Sequence, residues 1–253
     1  MLQSAGAAGA FTLAHNLFAS AAQTPASERI TVGAIGISGR GNYILNAFLQ
    51  YPDVQVVAVC DVIANRREAA KKMVDERYGN QDCRTYIDMR ELIAQPDIDA
   101  VMIATGDNNH SLISVLAARA GKDIYCEKPL SVTIAESRAV ADAVRRHARI
   151  FQCGTQRRNV GNFVFVRELA RSGALGNIHT VYAEKAWPDS KLNYKVLPEQ
   201  PTPPYEEMAW DLWLGGAAWR PYNDQYPTGF WRSHGDFSGG SITEWGSHTV
   251  DMC

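Results

Sequence analysis

Residues 30–61 constrain the fold more than any other stretch, because an apolar run, a glycine turn, a helical pattern and a second apolar run follow one another without a break. Ile30 to Ile35 has the length and composition of a buried parallel strand, and Gly36-Ile37-Ser38-Gly39-Arg40-Gly41 follows it directly. Tyr43 to Leu49 continues at helical spacing, and Pro52 and Asp53 close the unit. Val54 to Cys60, rich in β-branched residues, ends on Asp61, and a helix over roughly Ile63 to Arg77 comes next. Strands alternating with helices in this way predict an α/β chain built on a parallel sheet.

The turn matches the spacing GxGxxG, with Ser38 at the middle position. In such a turn the middle glycine lets the backbone approach a pyrophosphate, while the helix N-terminus supplies amide donors and a positive dipole end. Serine takes some of that room but adds a hydroxyl donor, and Gly39 beside it keeps the loop permissive. Asp61 can accept both ribose hydroxyls of an adenosine and would repel a 2′-phosphate. Dinucleotide binding is therefore expected through Gly36, Ser38, Gly39, Arg40, Gly41 and Asp61, with NAD favoured over NADP. Arg66 and Arg67 keep NADP open, although on a helix of this composition they read as a solvated face.

Thr85-Tyr86 is a small strand, and Asp88 caps a helix to Ala94. The strand Asp99 to Ala104 empties into Thr105-Gly106-Asp107-Asn108-Asn109-His110, where Asp107 or Asn109 can cap a helix that Gly121 ends. Asp123 to Leu130 is an apolar strand that stops in Glu127-Lys128-Pro129. Pro129 lacks a backbone donor and disfavours helix at the residue before it, and a bond of this type can be cis. Ligands of open parallel sheets sit beyond the carboxyl ends of the strands, so Lys128 would reach the mouth of a crevice on a rigid support. Taken alone, the tripeptide reads as a surface lysine before a loop proline; the context on both sides of it favours the crevice. A helix Thr133 to Ala148, with capping-box residues Thr133 and Glu136, and a strand Arg149 to Cys153 complete a sheet of about six strands.

From Gly154 the texture changes: all six tryptophans and seven of the eleven prolines follow it. The chain therefore divides into residues 29–154, a dinucleotide-binding domain, and residues 155–253, a second domain. The latter opens with a helix near Asn162 to Ser172, a long strand Ile178 to Trp187, a proline-rich loop and a short WDLW helix. A last helix after Gly239-Gly240 reaches Cys253. Tryptophan rings can stack on sugar faces, but core and interface packing is the expected role of most of them.

Composition removes other classes. A net charge of −2 gives no basic excess for nucleic acid, and the five cysteines are widely spaced without a CxxC pair, so neither a disulfide framework nor a zinc site is expected. Residues 1–28 are rich in Ala, Gly, Leu and Phe, and Ala19-Ser20-Ala21 gives an AxA cleavage pattern. This looks like the tail of a twin-arginine leader without its arginines, which predicts export to the periplasm, or else a flexible arm on a cytoplasmic protein. With His15 and Asn16 interrupting it, the segment is too short to span a bilayer.

With these pieces placed, the chain resembles the Gfo/Idh/MocA family of NAD(P)-dependent oxidoreductases. The residues that carry the resemblance are VGAIGISGRGN from Val32, VCDV around Asp61, AVMIAT with His110, AGKDIYCEKPL from Ala120, CGTQRR from Cys153, WDLWLGGA with RPYN, and GGSITEWGSHTVDM near Cys253. The resemblance implies an N-terminal Rossmann domain, doubly wound, and an α+β second domain with an open mixed sheet. It implies NAD lined by Thr105, His110, Glu127 and Lys128, and a sugar, glycoside or cyclitol held by Lys128, Gln156, Arg157 and His248. Glu244 and His248 stand where the family has a DxxxH pair, which implies His248 as base, Glu244 orienting its imidazolium and Lys128 stabilising an alkoxide. The implied reaction is hydride transfer between a secondary hydroxyl and nicotinamide, with no metal, in a homo-oligomer. NAD-dependent glycoside hydrolysis and non-catalytic sugar sensing are the alternatives on the same fold. Ser38, Gly106, Asn108, Asn109, Asn159 and Glu244 depart from the usual pattern. With one convincing strand before Cys253, the second domain reads as incomplete and the chain as a fragment.

Overall fold

The computed structural model describes residues 25–183 and 192–253. Its first part alternates strand and helix: β1 (Ile30–Ile35), α1 (Gly39–Phe48), β2 (Val54–Cys60), α2 (Ala64–Tyr78), β3 (Arg84–Tyr86), α3 (Met89–Ile93), β4 (Ala100–Ile103), α4 (Asp107–Arg119), β5 (Asp123–Cys126), α5 (Ile134–Arg146) and β6 (Phe151–Cys153). The six strands are parallel, in the order β3-β2-β1-β4-β5-β6. The order reverses between β1 and β4, which opens a crevice beyond their carboxyl ends.

Apolar side chains fill both faces of the sheet, as a doubly wound fold requires. In β4, Val101 and Ile103 pack with α3 and α4, while Met102 points to the opposite face, among Ile44, Leu45, Ala70 and Val74 of α1 and α2. The capping box of Thr133 and Glu136 forms as expected, and Gly121 adopts positive φ just after α4. Lys122 is buried, its Nζ donating to the carbonyls of Gln95 at 2.6 Å and Ile98 at 2.7 Å.

Beyond β6 the chain forms α6 (Gly161–Arg171), α7 (Trp210–Leu214), α8 (Gln225–Thr228), α9 (Ser241–Glu244) and α10 (Gly246–Met252). Two expectations fail here. Residues 178–183 form no strand and are exposed, while 184–187 lie outside the described residues. A strand needs a neighbour to take its backbone hydrogen bonds, and no strand of the sheet lies beside 178–183. The last helix is also not continuous: it breaks at Trp245 into α9 and α10. The leader reading falls almost wholly on residues outside the described ones, and no described helix is long and apolar enough to cross a membrane.

Trp210, Leu214, Tyr226 and Phe237 form a third core, and Val62 and Ile63, from the turn after β2, pack against it. Trp210 and Trp213 stack at 4.9 Å, and the Trp210 indole donates to the Arg220 carbonyl at 2.8 Å. Backbone bonds from Ala64 to the Glu207 carbonyl and from Ala209 to the Val62 carbonyl, both 3.0 Å, dock this core on the sheet. Arg67 adds side-chain bonds to the carbonyls of Asp61 at 2.7 Å and Glu206 at 3.2 Å. The solvated-face reading of Arg66 and Arg67 is thereby corrected: Arg67 is buried, and Arg66 donates to the Pro227 carbonyl at 3.2 Å.

The amide of Asn108 donates to the Leu214 carbonyl at 2.9 Å and that of Asn109 to the Trp213 carbonyl at 3.0 Å, so α4 holds the C-terminal end of α7. Asn109→Ala leaves a carbonyl unpaired and is expected to cost about 1–3 kcal/mol. Chemical denaturation measures this, and an unchanged midpoint would show that the contact stabilises nothing.

Candidate active site

A cavity of about 370 Å³ opens at the carboxyl ends of β1, β2, β4 and β5, where Gly36, Asp61, Thr105 and Glu127 meet residues of the second part. The glycine turn forms its floor. Gly36 has φ +85°, and a Cβ there would come within 2.6 Å of the Thr105 nitrogen; a Cβ on Gly41 would come within 2.0 Å of the Gly36 carbonyl oxygen. Neither position has room for another residue. A Cβ on Gly39 meets nothing within 4 Å, so the first turn of α1 faces open space. Ser38 caps α1 in an extended conformation, φ −135° and ψ 161°, which serine adopts without strain; its departure from glycine is accommodated.

Asp61 closes the ribose end. Its carboxylate is buried and accepts from the backbone amides of Ile37 at 2.7 Å and Ile63 at 2.9 Å, one oxygen each. Burial pushes its pKa up, against the lowering by these two amides. Each oxygen keeps a lone pair, so the group can still accept ribose hydroxyls. The free first-turn amides, the open space at Gly39 and this acceptor fit a dinucleotide.

Glu127 lies at the centre of the wall, 3% exposed. Its Oε1 accepts from Arg40 Nε at 2.9 Å and from the Tyr125 hydroxyl at 3.3 Å, and its Oε2 from the Lys128 amide at 3.2 Å. Gly154 makes the room: a Cβ there would lie 2.8 Å from Oε1. Gln156, with its amide turned to suit its neighbours, bridges the Gly154 carbonyl and Arg40. The Lys128–Pro129 bond is cis.

Lys128 and His248 line the same cavity. Lys128 Nζ donates to the Glu244 carbonyl at 3.0 Å. Burial lowers its pKa, opposed by the charges of Glu244, Asp107 and Glu127. His248 is 6% exposed, with Nδ1 enclosed and unpartnered. Burial lowers the imidazole pKa, and the nearby charges of Lys128 and Arg157 lower it further. Both shifts run downward, which favours the neutral imidazole of His248.

Three expected roles change. The carboxylate of Glu244 is bound to Arg232 Nη1 and does not reach His248. Glu244 ends α9 and His248 lies in α10, so the two do not share one continuous helix on which i,i+4 spacing would pair them. His110 is 1% exposed at the back of the wall, where Nδ1 lies 2.6 Å from the Pro129 carbonyl. A carbonyl only accepts, so Nδ1 carries the proton and His110 braces the proline turn. Arg157 lies off the wall, its guanidinium over Phe163 at 5.2 Å and Trp245 at 6.0 Å.

Sequence reasoning missed Arg232, whose guanidinium lies 4.4 Å over the Trp231 ring, and did not single out Trp213, Trp231 and Trp245 as cavity walls. It offered Asp107 or Asn109 as the helix cap, whereas Gly106 is the cap residue and the buried Asp107 carboxylate accepts from Ser238 at 2.8 Å. Among the described residues no group of three or more His, Cys, Asp or Glu is placed to hold a metal.

Comparison with known proteins places this cavity in a family. Residues 30–155 match the family described as "Oxidoreductase family, NAD-binding Rossmann fold", and residues 164–253 match "Oxidoreductase family, C-terminal alpha/beta domain". The chain belongs to the Gfo/Idh/MocA oxidoreductase family. NAD is accordingly the cofactor of its first domain. Inositol 2-dehydrogenase of Salmonella typhimurium is 31% identical over 176 residues, covering 69% of this chain and 49% of that protein. The crystal structure of myo-inositol 2-dehydrogenase from Lactobacillus plantarum has 26% identity and a TM-score of 0.54, over 59% of this chain and 43% of that one. An NAD-binding protein from Listeria innocua shares the fold over 89% of this chain and 52% of its own, with TM-score 0.58 and 23% identity. The chain thus spans about half the length of the curated relatives it matches.

The glycine geometry gives a stability test. Gly41→Ala forces a Cβ into a carbonyl and is expected to cost about 1–3 kcal/mol or more. Gly39→Ala should stay within about 0.5 kcal/mol of the parent. Thermal unfolding without NAD separates them, and equal melting temperatures would contradict the geometry.

Proposed function

We propose that this family member is an NAD-dependent oxidoreductase that oxidises a secondary hydroxyl of a sugar or cyclitol. The observation that supports it best is the shared cavity of Lys128 and His248 beside a dinucleotide cradle. Inositol dehydrogenases among the relatives support a polyhydroxylated substrate. The aromatic walls of Trp213, Trp231 and Trp245 suit the C–H face of a ring. Export and homo-oligomer formation belong to the same proposal; they rest on the leader-like composition of residues 1–28 and on the family.

NAD supplies a hydride acceptor. Neutral His248, whose enclosed Nδ1 leaves Nε2 for the substrate, takes the hydroxyl proton. The Lys128 ammonium stabilises the oxygen as it gains charge. The carbon-bound hydrogen leaves as hydride, and the carbinol becomes a carbonyl. Asp61 would anchor the adenosine ribose, and Arg40, fixed by Glu127, would lie beside the diphosphate cradle.

NADH formation against a panel of inositols, sugars and glycosides tests the reading. Stoichiometric NADH is expected; free reducing sugar without net NADH would favour the glycosidase. Lys128→Ala and His248→Ala should each lower kcat/KM by about 10²–10⁴-fold while NAD still binds. A base must be neutral to act, so the rate rises with pH through the imidazole pKa, which lies below its ordinary value of about 6.5. The acid limb should have its midpoint under that value and vanish in His248→Ala. A limb that survives the substitution would remove His248 as the base.

A further inference from the structure

The mechanism leaves one buried carboxylate unused. Asp107, the first residue of α4, is 4% exposed and forms part of the cavity wall. Its Oδ2 accepts from the Ser238 hydroxyl at 2.8 Å, and the Ser238 oxygen accepts from the Gly240 amide at 3.1 Å. Gly240 leads into α9, and the Glu244 carbonyl at the end of α9 accepts from Lys128 Nζ. One turn along α4 from Asp107, His110 holds the Pro129 carbonyl next to Lys128. The start of α4 therefore grips both sides of the site: the proline turn through His110, and the segment leading to His248 through Asp107 and Ser238.

We infer that Asp107 is a positioning residue that fixes the segment carrying Glu244 and His248 over Lys128. This rests on the reading of Lys128 as the group that faces the substrate oxygen. The charges that act on Lys128 are Glu244 from α9, Asp107 from α4, the adjacent Glu127 and, opposing them, Arg232. The Glu244 carboxylate is bound to Arg232, and that of Glu127 to Arg40. Asp107 has no such cation bound to its carboxylate; its hydrogen bond is to a neutral hydroxyl. Burial raises the pKa of the Asp107 carboxyl, while His110, the Ser238 hydroxyl and the charge of Lys128 lower it, so the Asp107 carboxylate and the Lys128 ammonium each favour the other's charged form.

The test needs no substrate. The rate of acylation of Lys128 by acetic anhydride, read by peptide mass spectrometry against pH, gives the lysine midpoint in the folded chain with saturating NAD. Asp107→Asn removes the charge at constant shape and is expected to move that midpoint down by about one pH unit. Asp107→Glu should restore it in part. Ser238→Ala keeps the carboxylate and removes the cross-link, so the midpoint should stay while amide hydrogen exchange across 238–248 speeds up at least about tenfold. An unchanged midpoint in Asp107→Asn overturns the electrostatic role, and unchanged exchange in Ser238→Ala overturns the positioning role. If Asp107→Asn does not fold, the exchange result alone decides. Both readouts stand apart from turnover, so failure to find a sugar substrate would bear on the proposed reaction and not on Asp107.

Discussion

The buried carboxylate of Glu127 is the contact on which the site depends. It joins the end of β5 to the glycine turn through Arg40, fixes the amide of Lys128, and fits only because Gly154 has no side chain. A buried carboxylate without a partner is costly, so the two loops are locked at the spacing that satisfies it. That spacing sets the width of the floor on which a diphosphate would lie. It also sets where Lys128 enters the cavity.

Around this lock the two parts of the chain are fastened by groups that each serve a second purpose. Asp61 accepts amides from the turns on both sides of it and still faces the ribose end. Arg67 bonds the Asp61 carbonyl and reaches Glu206 of the second part. Asn108 and Asn109 hold α7, whose Trp213 is part of the cavity wall. The substrate side of the cavity is thus held by hydrogen bonds from the nucleotide side. Loss of one such bond should move catalytic groups as well as lower stability.

The strands, the glycine turn, Asp61 and the proline turn were legible in the sequence because each is a local pattern: β-branched runs, glycines at fixed spacing, and a proline after a strand. Ser38 stands where glycine is usual, and its extended dihedrals, which no local pattern reveals, are ones serine adopts without strain. What failed was long-range. The strand expected from Ile178 needs a partner that local periodicity does not reveal. Glu244 and His248 have helical spacing, but they fall in separate helices and the carboxylate pairs with Arg232, twelve residues back in the chain. Arg66 and Arg67 look solvent-facing in a polar helix, because carbonyl partners some hundred or more residues away leave no local mark.

The central claim is that Lys128 and His248 face one reaction space above the nicotinamide. A crystal structure of the complete protein with NAD tests it most directly. The nicotinamide C4 is expected in the gap between the Lys128 amine and the His248 ring, with the diphosphate over the first turn of α1. A nicotinamide directed away from both side chains, or a diphosphate excluded from the turn at Gly39, would contradict it.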